Sequence, residues 1–325
     1  MTGKTAFRWI TAFVIAVISL WGGLAMWYQL PSTQSVRIIV LVAWTLISGL
    51  AIRSLAVKSR NVLTAGVWLI ACAALLIWWA QIKPKSDRNW APEVSHIVSG
   101  TVSGGMLDLD NIRDFVWRTT DDYTERWISQ SYDLSKLSTV DAILSTWGMD
   151  AIAHLLVSFG FSDGRHLVFS VEIRKETHEE FSNVAGLFKD YELAIIAATE
   201  RDIVQLRTSV RREDVSLYPI DLTPEQARKL LLSYVETANN LQNNPKFYHT
   251  ISANCTTVVF DAARQLWPNL GWDWRIILSG YLPDYLADQS LLLWNPLPAD
   301  LSQYAAITQK GQDAASDYST AIRQH

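Results

Sequence analysis

Cys255 lies in the run Ser252-Ala-Asn-Cys-Thr-Thr257 and leads into Val258–Arg264, which Pro268 closes. The spacing predicts a helix that starts near Cys255, with Asn254 or Ser252 as its cap. A thiol in a first helical turn meets unsatisfied N–H groups and the positive end of the helix dipole, which favour thiolate. A thiolate nucleophile needs a base, and the base needs an orienting group. His154 is the candidate base and Glu172 the candidate orienter, with Ser170 as the alternative. His249, close to Cys255 in sequence, is a second candidate base. The Cys255 backbone N–H at the same helix start can face an oxyanion. The chemistry implied is nucleophilic catalysis by a Cys–His pair. The purely structural alternative makes Cys255 a packing residue and His154 a satisfied core histidine. His166 and His178 read as solvated, and no zinc spacing, Gly-rich phosphate loop or Gly-x-Ser-x-Gly motif is present. Neither a metal nor a cofactor is expected.

Positioning these groups falls to two alternating stretches, Ala153–Phe161 and His166–Arg174. In the first, His154 and Ser158 share a face opposite Ala153, Leu155, Val157 and Phe159. In the second, Ser170, Glu172 and Arg174 oppose Leu167, Phe169, Val171 and Ile173. Ser162-Asp163-Gly164 suits a three-residue hairpin loop with Gly164 left-handed. Paired residue numbers then sum to 326, which sets His154 opposite Glu172 on the polar face. A two-residue Asp-Gly turn would pair His154 with Ile173 and break the match of polar with apolar. Tyr191–Thr199 and Asp202–Thr208 read as strands, and Thr223-Pro-Glu-Gln226 as a capped helix start running to about Asn240. Residues 108–147 read as short helices and loops.

The scaffold behind these elements is unusual. Trp9–Leu30 carries no charge over 22 positions and Val62–Ile82 none over 21. Each is long enough for a hydrocarbon core of about 30 Å. Between them Ile38–Ile52 is uncharged for only 15 positions, bracketed by Arg37 and Arg53, which can snorkel. The expectation is a three-helix transmembrane anchor over residues 1–85, with spans at about 9–30, 36–57 and 62–82. A linker over 86–107 and an α+β catalytic domain over 108–325 follow. A cleaved signal peptide fits poorly, because the first apolar stretch is too long and two more follow. Lys4, Arg8, Arg53, Lys58 and Arg60 favour a cytoplasmic N-terminus and an external C-terminal domain. If the middle stretch does not span, the domain faces the cytoplasm.

Charge divides the chain. Residues 1–88 hold nine Lys/Arg and one Asp, a net of +8; the rest holds 19 Lys/Arg against 31 Asp/Glu, a net of −12. An acidic domain argues against nucleic acid as a partner. Of the two cysteines, Cys72 lies in the third apolar stretch, so the C-terminal domain has no internal disulfide.

Several elements resemble the Lnb N-terminal periplasmic domain family. They are Ser158-Phe-Gly-Phe161, Ser170-Val-Glu-Ile-Arg-Lys-Glu176, Gly186-Leu-Phe188, Tyr191-Glu-Leu193, Glu200-Arg-Asp202, Leu206-Arg207, Leu217-Tyr-Pro219 and Asn254-Cys-Thr-Thr257. The resemblance covers about residues 108–290. It implies a circularly permuted papain-like fold, with an antiparallel sheet and a nucleophile-bearing helix, in which a strand histidine precedes the cysteine. It further implies a thiol acyltransferase similar to lipoprotein N-acyltransferases. There an acyl chain passes from phospholipid to the cysteine and then to a lipoprotein's N-terminal amine. On that reading Cys255, His154 and Glu172 are catalytic, and Asn254, Ser170 and Arg174 support them. The expected setting is a multi-pass protein of the bacterial inner membrane with a periplasmic C-terminal domain. A cell-envelope peptidase or amidase, and a non-catalytic membrane scaffold, are the competing readings. The three-span anchor departs from the lipoprotein signal expected of the family.

Overall fold

The computed structural model describes residues 3–56, 62–314 and 317–324. It forms two compact units: residues 1–85 with Ser182–Asp190, and Ser86–Phe181 with the chain from Tyr191 onward.

The first unit holds α1 (Gly3–Gln29), α2 (Gln34–Ala56) and α3 (Val62–Gln81). Their apolar segments, Thr5–Gln29, Gln34–Leu55 and Val62–Gln81, are each long and apolar enough to cross a membrane. The middle helix exceeds its uncharged core because Arg37 and Arg53 lie within its end turns. Arg37 Nη2 turns back to donate to Leu30 O at 3.2 Å, and its guanidinium lies over the Trp27 ring. Residues 57–61, which include the expected end of this span and the topology-setting Lys58 and Arg60, lie outside the described residues.

Polar and small groups fix the helix contacts. Trp44 Nε1 donates to Ser19 O at 2.7 Å and Trp68 Nε1 to Ser19 Oγ at 3.2 Å, so one serine meets both neighbouring helices. A Cβ at Gly22 would come within 2.6 Å of Leu75 and 2.7 Å of Trp44, so only glycine permits this approach. In the Ser182–Asp190 segment, Phe188 stacks on Tyr28 and meets Trp79 edge-on. Lys189 Nζ donates to Trp79 O at 2.7 Å, satisfying a carbonyl that the end of α3 leaves open.

The second unit is an α+β domain around a mixed sheet. Its strands are β1 (Ser99–Ser103), β2 (Met106–Arg113), β5 (Trp127–Asp133), β6 (Leu137–Thr146), β7 (Ala153–Phe161), β8 (His166–Arg174), β9 (Glu192–Ala198) and β10 (Asp214–Pro219). A separate two-stranded piece joins β3 (Val116–Trp117) and β4 (Tyr123–Thr124). The main order is β1-β2-β9-β8-β7-β6-β10, with β5 also on β2. The expected antiparallel sheet is corrected in one place: β2 and β9 run parallel.

The helices are α4 (Glu200–Gln205), α5 (Pro224–Asn243), α6 (Cys255–Leu266), α7 (Leu282–Asp288), α8 (Leu301–Ala305), α9 (Thr308–Asp313) and α10 (Tyr318–Ala321). Strand alternation assigns them to faces. Phe159 and Phe169 meet Tyr234 of α5. Ser158, the next residue on β7, donates to Glu200 of α4 at 2.6 Å. Apolar burial on both faces explains the near-continuous apolar runs of the central strands. In β9 every residue from Glu192 to Ala198 is buried.

Three sequence expectations change. The supposed linker 86–107 is folded into the sheet domain: Trp90, Ala91, Val94, Ile97 and Val98 are buried, and Ser99–Ser103 is the edge strand β1. Its Pro, Ser and Gly residues masked this apolar content. Residues 108–147 are mainly strands rather than helices and loops. Asp202–Thr208 is not a strand but lies within α4 and a π-helical turn, Leu206–Val210. The Thr199 side chain caps α4, and Asp202 forms a buried ion pair with Arg113 at 2.8 Å.

Candidate active site

The β7–β8 hairpin has the expected register. Its pairs run from Leu156↔Ser170 to Gly160↔His166, and Gly164 is left-handed with φ 86°. The ladder then stops, although β8 continues to pair with β9 as far as Arg174↔Glu192. Beyond Leu156, β7 has lost its neighbour on that side. Alternation directs the polar backbone groups of Ala153 and Leu155 into the opening. Ser279 covers Ala153: its Oγ accepts from Ala153 N–H at 2.9 Å and donates to Ala153 O at 2.6 Å. Cys255 lies at the same opening, its Sγ 3.9 Å from Ala153 O, and the Leu155 N–H helps to lower its pKa.

Cys255 opens α6 as its first residue. Asn254 Oδ1 accepts from Thr256 N at 2.9 Å and from Thr257 N at 2.8 Å, while Asn254 N donates to Thr257 Oγ1 at 2.9 Å. This reciprocal cap fixes the first turn. It also uses up the next two amide donors. The Cys255 N–H itself donates to nothing among the described residues, so it remains available to an oxyanion.

His154 lies at the start of β7. Its Nε2 is 2.8 Å from Ser170 Oγ and 3.1 Å from Glu172 Oε1. Ser170 Oγ donates its own hydrogen to Glu172 Oε1 at 2.6 Å. Nε2 must therefore carry a proton, and the other ring nitrogen is the one left to address the thiol. Burial disfavours the imidazolium, but the Glu172 carboxylate outweighs it, and the His154 pKa is pushed up to about 9. Burial likewise opposes ionisation of Cys255. Its hydrogen bond to His154, the imidazolium charge and the Leu155 N–H prevail and lower the thiol pKa. Glu172 is held well below the usual carboxylate range: burial resists, and His154, Arg207 and Ser170 overcome it.

Sequence reasoning missed the groups behind Glu172. Arg207, buried in the π-helical turn, lies 3.8 Å from Glu172 and 3.0 Å from Glu213. Ser145, directly across β6–β7 from His154, donates to Glu213 Oε2 at 2.5 Å. The signal for Arg207 was its place in the Leu206-Arg207 element, but reading that stretch as a strand hid its direction.

Other candidates fall elsewhere. The His249 ring accepts from Ile251 N and Ser252 N and meets Ser252 Oγ at 3.0 Å, so its Nδ1 serves a local turn. Arg174 donates to Val94 O and Ser95 O and lies over Trp90, which fastens residues 90–95 to β8. His178 is exposed. His166 departs from the solvated reading: it is half-buried, with Nδ1 fully enclosed. Among the described residues, no three His, Cys, Asp or Glu side chains converge as metal ligands.

An apolar cavity of about 90 Å³ lies between β7 and α6, and neither Cys255 nor His154 is part of its wall. Leu155 and Thr256, which flank His154 and Cys255 in sequence, line it with Val259, Phe260, Trp267 and Leu286.

A helix-borne cysteine, a strand histidine and an ionised glutamate thus meet in an α+β domain that follows three apolar helices. Residues 123–280 match the model of the family described as the Lnb N-terminal periplasmic domain. No curated protein and no solved structure matches the chain.

Proposed function

We propose that this protein is a multi-pass inner-membrane cysteine acyltransferase. In this reading an acyl chain moves from a phospholipid to Cys255 and then to the N-terminal amine of a lipoprotein. The observation that carries it is the placement of His154 between Glu172 and Cys255, with the thiol pKa lowered and the imidazole pKa raised. The Cys255 thiolate attacks the ester carbonyl, forming a C–S bond, and the Cys255 N–H faces the oxyanion. As the C–O bond breaks, the His154 imidazolium gives its proton to the departing lysophospholipid hydroxyl. The acceptor amine then attacks the thioester, His154 takes the amine proton, and the thiolate leaves as the amide forms.

The apolar cavity beside Leu155 and Thr256 favours an aliphatic acyl group over a peptide carbonyl as the first substrate. The anchor keeps the domain at a lipid surface, and basic residues Arg8 and Arg53 support a cytoplasmic N-terminus. Intact-protein mass spectrometry of the full chain in detergent with phospholipid tests the reading. A fatty-acyl mass on Cys255 that hydroxylamine removes, and that Cys255→Ser lacks, is expected. Release of peptide from cell-envelope material with no acyl mass would replace acyl transfer by hydrolysis. Undiminished activity in Cys255→Ser would end both readings.

A further inference from the structure

The opposite end of the sheet holds a second, larger cavity of about 340 Å³. Gly160 and His166 are part of its wall, and Gly160 lies six residues along β7 from His154. At the rise of an extended strand this is a separation of roughly 20 Å. The cavity is therefore separate from the thiol site.

Most of its wall is apolar, with Phe161, Leu217, Trp294 and Ile307 among the lining residues. Trp294 is braced edge-on by Tyr304 and packs near Tyr218. Against this wall stand Asp141, His166, Lys310 and Arg323. Arg323 is fully engaged: its guanidinium bridges Asp141 at 2.7 Å and Glu200 at 2.6 Å. Burial raises the Asp141 pKa even against this ion pair. The remaining two groups are different. His166 Nδ1 is enclosed and has no hydrogen-bond partner among the described residues. Lys310, half-buried on α9, makes no ion pair there either. Lys310 thus brings an uncompensated ammonium to a largely apolar wall, where an anionic ligand group would pair with it. The half-buried His166 ring stands on the same wall. Among the lining side chains, two permanent cations face one carboxylate, and that carboxylate is already paired.

We propose that this cavity binds a small organic carboxylate with an apolar body. The anionic group meets Lys310 and His166, and the body lies against Phe161 and Trp294. An apolar wall with a few convergent polar groups is the usual form of a small-molecule site. The proposal makes no use of Cys255, so it stands or falls separately from acyl transfer.

The test uses the full chain in detergent and two water-soluble probes of the same shape, 3-phenylpropanoate and 3-phenylpropan-1-ol. Binding is read by ligand-observed saturation-transfer NMR in wild type, Lys310→Gln and His166→Asn. The alkylation rate of Cys255 serves as a check that each variant is folded. A charge-assisted hydrogen bond is worth about tenfold in affinity. Wild type should prefer the acid by about that factor. Each variant should lose most of the preference while its affinity for the alcohol and its alkylation rate stay unchanged. Equal binding of acid and alcohol to wild type overturns the proposal. So does acid binding that survives intact in both variants, or no acid binding at about 10 mM.

Discussion

Replacing Glu172 by Gln removes one charge and keeps the shape of the side chain. In the wild-type protein the carboxylate raises the His154 pKa from an ordinary 6.5 to about 9. At about 1.4 kcal/mol per pKa unit, that rise corresponds to ~3 kcal/mol favouring the imidazolium. Without it, burial and the neighbouring Arg207 charge, which both disfavour the imidazolium, are opposed only by the hydrogen bond to Cys255, and the His154 pKa falls back towards its ordinary value. Cys255 loses the positive charge that lowers its own pKa, so its midpoint climbs towards or past the ordinary 9.0. The assay is iodoacetamide alkylation against pH in a Cys72→Ala background, where Cys255 is the sole thiol. The midpoint should rise by at least about one pH unit, and the rate at pH 7 should fall at least about tenfold. The rate above both midpoints should be little changed. The stability profile carries the same signature. A raised histidine pKa contributes stability that is complete below 6.5 and lost as pH rises through about 9. The depressed Cys255 pKa adds stability in the opposite sense, so urea unfolding of wild type should weaken across that window by less than ~3 kcal/mol, and Glu172→Gln should show less of this loss. An unchanged alkylation profile in Glu172→Gln would refute the view that this carboxylate sets the state of the pair.

Two further substitutions probe the support of the site. Asn254→Ala removes the acceptor of the Thr256 and Thr257 N–H groups; chemical denaturation should show a loss of about 1 kcal/mol, with a higher Cys255 alkylation midpoint. Arg207→Met leaves Glu172 and Glu213 without their shared cation. The expected loss is about 3–5 kcal/mol, measured by urea unfolding at pH 7, with partial recovery in Arg207→Lys. A neutral Arg207→Met would show that the guanidinium does not hold these carboxylates.

What was legible in the sequence followed from strict periodicity. The β7–β8 register came from alternation plus a single Gly164, because a one-residue slip would turn His154 to the apolar face. The caps at Thr223 and Asn254 were readable because capping depends on adjacent residue types. The remainder depended on tertiary partners. Wherever strands are buried on both faces, as β9 is, alternation disappears and apolar runs carry no direction. The Arg207 position followed from a π-helical turn, which the pattern of Ile203, Val204 and Leu206 does not announce. Ser279 was invisible as a site residue, since its role is to bond the backbone of Ala153, 126 positions away.

The early end of the β7–β8 ladder has a consequence for how this sheet is completed. A hairpin normally zips until its residues run out, and two more pairs, Leu155↔Val171 and His154↔Glu172, would have continued the register. Here the zipper stops short, and the Ser279 hydroxyl bonds both backbone groups of Ala153, with the Cys255 sulfur 3.9 Å from the same carbonyl. The edge of the sheet is thus closed by side chains from a distant part of the chain instead of by a strand. Whatever displaces Ser279 leaves the Ala153 amide without its acceptor, so hydrogen exchange at that one amide can report whether the segment after α6 is seated against the site.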